Sequence, residues 1–183
     1  LNIDQKDEPI DLTDSEIAAT AQANIPEAMA VLRYTFEDGT TLPTLYGNAS
    51  TVSNSEHGSK VLSLDGTNGT YAEIPQGFFD NKDEMTILFD IKPNTNSGNY
   101  FTFAFGKDNY YYDFFRIRGS EVRNAITVNS YTNESEVKTS FDATDSWMAI
   151  ALVFDNGKCQ LYVNGTLKAT NNNALRVSDL GTN

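Results

Sequence analysis

Cysteine, histidine and tryptophan are almost missing from this sequence, which has one residue of each in 183 positions. A single cysteine, Cys159, forms no internal disulfide, so we expect packing alone to hold the fold. No run of 18 apolar residues is present, and no membrane insertion is therefore expected. Nucleotide-binding glycine loops, Cys-x-x-Cys pairs and His-Glu-x-x-His are also missing, so the usual nucleotide and zinc motifs are excluded. We expect Cys159 to be a buried structural thiol and His57 to be an ordinary loop histidine.

Basic residues are scarce too: 13 lysines and arginines face 25 acidic residues, a net charge of -12. A phosphate-backbone partner is disfavoured, and no nucleic-acid binding is expected. Residues 1–27 contain no aromatic side chain and carry seven acidic residues against one basic one. This composition predicts an acidic linker, with a short helix over residues 14–23 ahead of Pro26.

From residue 28 onward, short runs of β-branched and aromatic residues alternate with turn clusters. Pairs such as Asp65-Gly66 and Asn156-Gly157 accept positive φ and close hairpins. Strands are predicted over residues 31–36, 61–64, 70–74, 85–92, 100–105, 110–118, 125–131, 147–154 and 159–163. So many short strands in one domain predict an all-β, antiparallel, two-sheet sandwich.

Alternation within the aromatic runs indicates which side chains face the core. Phe101, Phe103 and Phe105 share one side of their strand, and Phe115 and Ile117 share one side of the next. We expect these residues to be buried together with Ile150, Leu152, Leu161 and Val163.

The opposite side of the same strand carries polar and aromatic groups. Sugars bind proteins by stacking on aromatic rings while amides, carboxylates and guanidinium groups hydrogen-bond their hydroxyls. Ala149, Ala151 and Val153 are expected to supply a floor of small side chains in the same sheet. The candidate ligand surface is Tyr112, Phe114, Arg116, Arg118, Asn129 and Tyr131.

A simpler interpretation of the two arginines is also open. In this interpretation Arg116 and Arg118 bind no ligand and only form ion pairs with the nearby Asp113 and Glu121, which balances the charge of an acidic domain.

Several segments together resemble a known family. They are LRYTFEDGT at 32–40, VLSLDG at 61–66, MTILFDIKP at 85–93, WMAIALVFD at 147–155 and LYVNG at 161–165. These segments are similar to the concanavalin A-like, laminin-G-like jelly rolls of bacterial carbohydrate-active proteins. The resemblance implies a jelly-roll domain over residues 28–183. Such domains end in a strand with an acidic residue, and none follows Asn183, so the last strand is either missing or supplied elsewhere.

The resemblance also bears on activity. Glucanases of this fold carry a Glu-x-Asp-x-Glu strand, whose nearest counterpart here, Glu134-Ser135-Glu136, lacks the middle aspartate and is interpreted as a solvated turn. We therefore expect no enzyme but a carbohydrate-binding or accessory module of a larger secreted bacterial protein, attached to a glycoside hydrolase. Its expected partners are a glycan or polysaccharide and the other domains of the polypeptide, outside the cell or at its surface. The alternative is a structural spacer or adhesin module that contacts protein.

Calcium is the one cofactor that the resemblance raises. No cofactor is required by the sequence, but a structural calcium ion is common in this fold and binds oxygen donors. Glu37, Asp38 and Asp65 are plausible donors, and ordinary acidic surface turns are the alternative.

Overall fold

The computed structural model describes residues 31–94, 101–141 and 145–182. The predicted linker over 1–27 and the helix over 14–23 lie outside these residues. Within them the chain forms strands, all antiparallel in their pairing, and one short 3₁₀ helix. The strands are β1 (Thr44–Tyr46), β2 (Ser50–Asn54), β3 (Ser59–Ser63), β4 (Tyr71–Glu73), β5 (Glu84–Ile91), β6 (Phe103–Gly106), β7 (Tyr112–Arg118), β8 (Glu121–Thr127), β9 (Ser135–Ser140), β10 (Met148–Asp155), β11 (Lys158–Val163) and β12 (Thr166–Asn171), and the helix is Val177–Leu180. No helix in this part of the chain has the length and apolar character to cross a membrane.

Two four-stranded sheets form the body of the domain. We call β6-β7-β8-β9 the front sheet and β12-β11-β10-β5 the back sheet. Their inner faces share one apolar core, to which the front sheet contributes Phe115 and Ile117 and the back sheet contributes Leu152 and Leu161. The ring of Phe89 on β5 packs edge-on against Phe115 of the front sheet, with ring centroids 5.1 Å apart. The predicted all-β, antiparallel, two-sheet sandwich is confirmed.

Most of the predicted core residues are buried or half-buried. Phe103 and Phe105 are half-buried, and fully buried are Phe115, Ile117, Ile150, Leu152, Leu161 and Val163. Phe101 was expected beside them, but this prediction is wrong, since Phe101 is 52% exposed. The strand begins only at Phe103, so the alternation that places Phe103 and Phe105 inside does not extend to Phe101.

Two smaller antiparallel ribbons, β1–β4 and β2–β3, lie outside the four-stranded sheets. Tyr46 and Tyr71 are directly opposite each other across the β1–β4 ribbon, and their rings stack with centroids 4.5 Å apart. In the β2–β3 ribbon, Val52 pairs with Val61 and remains 41% exposed. The ribbons bury far less apolar surface than the sandwich does.

Two predicted strands and one predicted turn need correction. Residues 31–36 form no strand: the segment begins in a bend, and Phe36 at its end has a φ of 62°. The segment at Glu134 was interpreted as a turn, but Ser135–Ser140 is the edge strand β9. The strand predicted to reach Tyr131 ends at Thr127, since Ser130 has a φ of 54°.

The prediction that small side chains lie in the same sheet as the arginines is wrong. Ala149, Ala151 and Val153 belong to β10, which pairs with β5 and β11 in the back sheet. The arginines of β7 are in the front sheet, so these alanines do not lie beside them.

Candidate functional site

The outer face of the front sheet is formed by the side chains of β7 that alternate with its core residues. Phe115 and Ile117 face the core, so Phe114, Arg116 and Arg118 lie on the outer side, as the sequence predicted. On β8, Ala125 pairs with Phe114 and Arg123 pairs with Arg116. On β9, Glu136 pairs with Ala125 and Lys138 pairs with Arg123. We call the surface formed by these side chains the outer face: Tyr112, Phe114, Arg116 and Arg118 of β7, Arg123 and Ala125 of β8, and Glu136 and Lys138 of β9.

Phe114 lies at the centre of the outer face but is only 2% exposed. Phe101 stacks on its ring with centroids 4.5 Å apart. The guanidinium groups of Arg116 and Arg123 lie over the same ring, 5.7 and 5.5 Å from its centroid. The ring that an approaching ligand meets is therefore that of Phe101, with Phe114 as the base beneath it.

The arginines of β7 differ in their partners. Arg116 forms an ion pair with Glu121 at 3.0 Å, which confirms the expected pairing with that residue. The expected pairing with Asp113 is wrong, because Asp113 lies on the opposite side of the strand and is fully buried. Arg118, at the end of β7, is exposed, and no ion pair of Arg118 is found among the described residues.

A second charge network surrounds Arg123. Its guanidinium is held between Glu134 and Glu136, the latter at 2.6 Å, and Lys138 approaches Glu136 at 2.5 Å. Burial works to raise the pKa of Glu136, but hydrogen bonds and the charges of Lys138 and Arg123 outweigh it and hold that pKa below its ordinary value. Tyr112 donates its hydroxyl to Glu134 at 3.3 Å. Glu134, just before β9, and Glu136, on β9, are thus each paired with at least one cation.

Asn129 and Tyr131 are not on the sheet face where the sequence predicted them. Both lie in the loop after β8, and Tyr131 is 80% exposed. The backbone N–H of Ser130 in this loop donates to the carbonyl of Tyr110 at 3.0 Å. The structure therefore brings Tyr131 next to the β6–β7 turn, at the end of the outer face where Tyr112 lies.

A polar cluster that the sequence analysis missed lies inside the sandwich. Asn124 donates to the fully buried Asp113 at 2.8 Å, and the thiol of Cys159 lies 3.8 Å from the Asn124 amide oxygen. Burial raises the pKa of Asp113 well above its ordinary value, and burial together with the Asp113 charge raises the pKa of Cys159 to about 12. The prediction of a buried Cys159 is confirmed, and such a thiol is a poor nucleophile.

His57 lies where the β2–β3 ribbon meets the back sheet. Its Nδ1 is 2.5 Å from the hydroxyl of Ser59, its Nε2 is 3.1 Å from Asp90 on β5, and its ring contacts Trp147 at 4.4 Å between centroids. The order serine, histidine, aspartate resembles that of a catalytic triad.

The surroundings of Ser59 do not suit acyl transfer, however. The backbone N–H groups of His57 and Gly58 both donate to Asn54, and that of Lys60 donates to Glu37. None of these three is free to stabilise an oxyanion. The histidine instead joins the ribbon to the sandwich.

The carboxylates expected to hold calcium do not converge. Glu37 accepts from the Lys60 N–H at 2.9 Å, Asp38 pairs with the Lys60 ammonium at 2.5 Å, and Asp65 accepts from Thr67 at 2.6 Å. Among the residues that the structure describes, no group of three acidic, histidine or cysteine side chains is arranged to hold a metal ion. A calcium ion held mainly by backbone oxygens, with one or two of these acidic side chains, stays a prediction.

Comparison with known proteins bears out the fold. A laminin-G family model, described as the concanavalin A-like lectin/glucanases superfamily, matches residues 65–183. No curated protein and no solved structure matches the chain. The matched residues run from the turn before β4 through the whole sandwich, about two thirds of the sequence. The chain belongs to the concanavalin A-like lectin and glucanase superfamily.

Proposed function

We propose that this domain is a non-catalytic carbohydrate-binding module of a larger secreted bacterial protein, with the outer face of the front sheet as its contact surface. The observation that carries the proposal is the exposed ring of Phe101, which rests on the buried ring of Phe114. A flat, exposed aromatic ring on a fixed base is suited to stack on the C–H face of a sugar. Fold membership alone does not imply sugar binding, so the proposal depends on this surface.

Hydrogen-bonding groups lie beside the stacked rings of Phe101 and Phe114. The guanidinium groups of Arg116 and Arg123 already lie over Phe114. Each guanidinium holds its N–H groups in a fixed plane, and the carboxylates paired with them have further lone pairs available to accept from sugar hydroxyls. This combination supports recognition of a polyol beside an aromatic ring.

The same network argues against hydrolysis. A glycosidase needs one free carboxylate and one protonated carboxyl group across the scissile bond. Glu134 and Glu136 both hold Arg123, and the pKa of Glu136 is lowered rather than raised. The proposed role is tethering, in which weak contacts to a glycan raise the local concentration of an attached catalytic domain.

The test is binding of the Phe101→Ala variant to immobilised polysaccharides. Removing one aromatic contact of about 0.5–1.5 kcal/mol should weaken binding by about twofold to tenfold. Val52→Ala, an exposed apolar change on the β2–β3 ribbon, is the control and leaves binding unchanged. Unchanged affinity of a folded Phe101→Ala variant would contradict the assignment of this surface.

A second arm removes both arginines of β7, Arg116→Ala with Arg118→Ala, and we expect a further loss of glycan binding in a domain that still folds. Assays for released reducing sugar should stay negative in every variant. Release that disappears in Glu134→Gln would show a hydrolase instead.

A further inference from the structure

Three tyrosines are exposed together at the loop end of the outer face. Tyr110 and Tyr111 lie in the β6–β7 turn and are 60% and 36% exposed, and Tyr131 in the β8–β9 loop is 80% exposed. The hydrogen bond from Ser130 N–H to the Tyr110 carbonyl joins the two loops. We call Tyr110, Tyr111 and Tyr131 the tyrosine crest.

The β6–β7 turn holds its tyrosines in a fixed conformation. Asp108 accepts from the backbone N–H groups of Tyr110 and Tyr111 at 2.8 and 3.2 Å. Gly106 has a φ of 144°, and a Cβ there would come within 2.6 Å of the Tyr112 Cα, so only glycine allows this close crossing. Two exposed rings thus lie on a turn whose backbone is held by Asp108 and requires glycine at position 106.

The second loop is equally braced. Thr127 donates its hydroxyl to the carbonyl of Ser130 at 2.5 Å, and Thr132 donates to the carbonyl of Asn129 at 2.8 Å. Backbone that is fixed before binding loses little entropy when a ligand arrives. Exposed aromatic rings on such loops are a preorganised contact surface.

The charges around the crest select the class of ligand. Lys107 lies over the Tyr111 ring, 5.5 Å from its centroid, and Arg116 and Arg123 are paired with carboxylates. Residues 28–183 carry 12 lysines and arginines against 18 acidic residues, a net charge of -6 out of the -12 of the whole chain. A polyanion would meet overall repulsion and few unpaired cations, whereas a neutral chain meets neither penalty.

We propose that the tyrosine crest binds successive rings of a neutral polysaccharide, extending the contact surface beyond Phe101. This inference rests on the proposed function, because it names the ligand class and adds the residues of the same surface. A standard protein interface buries roughly 800 Å² on each partner, and three partly exposed tyrosine side chains do not supply that by themselves. Stacking of tyrosine rings on sugar rings, with the hydroxyls as hydrogen-bonding groups, needs no larger area.

The experiment is affinity gel electrophoresis of the whole chain in gels containing neutral probes (arabinan, xylan, laminarin) or acidic probes (polygalacturonate, alginate). We expect retardation by at least one neutral probe and by neither acidic probe. Tyr110→Ala with Tyr131→Ala should weaken that retardation about tenfold or more, while Tyr110→Phe with Tyr131→Phe keeps most of it because the rings remain. Tyr46→Ala with Tyr71→Ala, which removes two exposed tyrosines from the β1–β4 ribbon, is the matched control and should have no effect.

The outcomes separate the two proposals. Retardation by acidic probes alone, or by a neutral probe but undiminished in the folded Tyr110→Ala, Tyr131→Ala variant, overturns the inference and leaves the proposed function standing. Retardation by no probe in either set, and by no glycan in an array, overturns the proposed function and the inference with it.

Discussion

The sandwich and the two ribbons are held together by different interactions. Between the four-stranded sheets, Leu152, Leu161 and Phe115 are fully buried in one continuous core. The β2–β3 ribbon joins the sandwich at its turn, where His57 contacts Asp90 and the Trp147 ring, and Glu56 pairs with Lys92 at 2.6 Å. Exposed ion pairs contribute about 0–1 kcal/mol each, whereas one buried leucine contributes several times that.

The difference teaches that stability and attachment are separate properties in this domain. Unfolding of the sandwich exposes the shared core and should be cooperative. The β2–β3 ribbon has little apolar surface to lose, so it can detach at a low free-energy cost while the sandwich stays folded. Three changes, from the largest expected effect to the smallest, probe the apolar core of the sandwich, its buried polar cluster and the attachment of the ribbon.

Leu161→Ala acts on the sandwich alone. Leu161 is fully buried, so its truncation leaves a cavity and should lower the free energy of unfolding by about 2–5 kcal/mol. Val52→Ala in the ribbon should change it by less than about 0.5 kcal/mol. Urea denaturation followed by tryptophan fluorescence measures both, and equal losses in the two variants would refute the contrast.

Asp113→Asn tests the buried polar cluster within the core. Burial raises the pKa of Asp113 above its ordinary value of 3.8, so above that pH the unfolded chain ionises first and stability falls as pH rises toward the folded-state pKa. Asn removes this proton linkage and keeps the oxygen that accepts from Asn124. The variant should be more stable at neutral pH, with a gap that widens from pH 4 by up to about 1.4 kcal/mol per unit.

The control for Asp113 is Asp155→Asn, which removes an exposed carboxylate at the end of β10. We expect that variant to follow the wild-type pH profile. Parallel profiles for wild type and Asp113→Asn would mean that Asp113 is ionised in the folded state.

Asp90→Asn weakens the attachment of the ribbon. It removes the charged partner of His57 and should change the free energy of global unfolding by less than about 1 kcal/mol. Backbone amides of β2 and β3 should nevertheless exchange with deuterium faster, while those of β10 and β11 do not. Glu121→Gln, which breaks the ion pair with Arg116 on the front sheet, serves as the control. Identical exchange of the β2 and β3 amides in both variants would contradict attachment of the ribbon through His57 and Asp90.

Sequence reasoning succeeded where alternation was regular. Phe115 and Ile117 were placed inside, and Phe114 and Arg116 outside, because β7 is an uninterrupted strand. The same alternation puts Asp113 inside with Phe115. Because Asp113 is an acidic residue, it was instead expected to form an exposed ion pair with the arginines of β7. The signal was present in the sequence, and the rule that aspartates stay at the surface overrode it.

Elsewhere the sequence held little signal. β9 has a polar sequence with one buried residue, Val137, as an edge strand with one wet side allows. Ser130 adopts a positive φ that serine rarely takes, so nothing local indicated that the strand ends before Asn129 and Tyr131. The cover over Phe114 depends on Phe101 and Arg123 from two other segments, which no single segment reveals.

The single buried thiol of Cys159 provides a chemical probe of unfolding that needs no added label. Cys159 is the chain's one cysteine, and it lies between the sheets with a pKa raised to about 12. A maleimide or disulfide reagent therefore reacts only with molecules whose sandwich has opened. The rate of modification then measures how often the sandwich opens. A cysteine introduced on the tyrosine crest would take a fluorophore under native conditions without competition from Cys159.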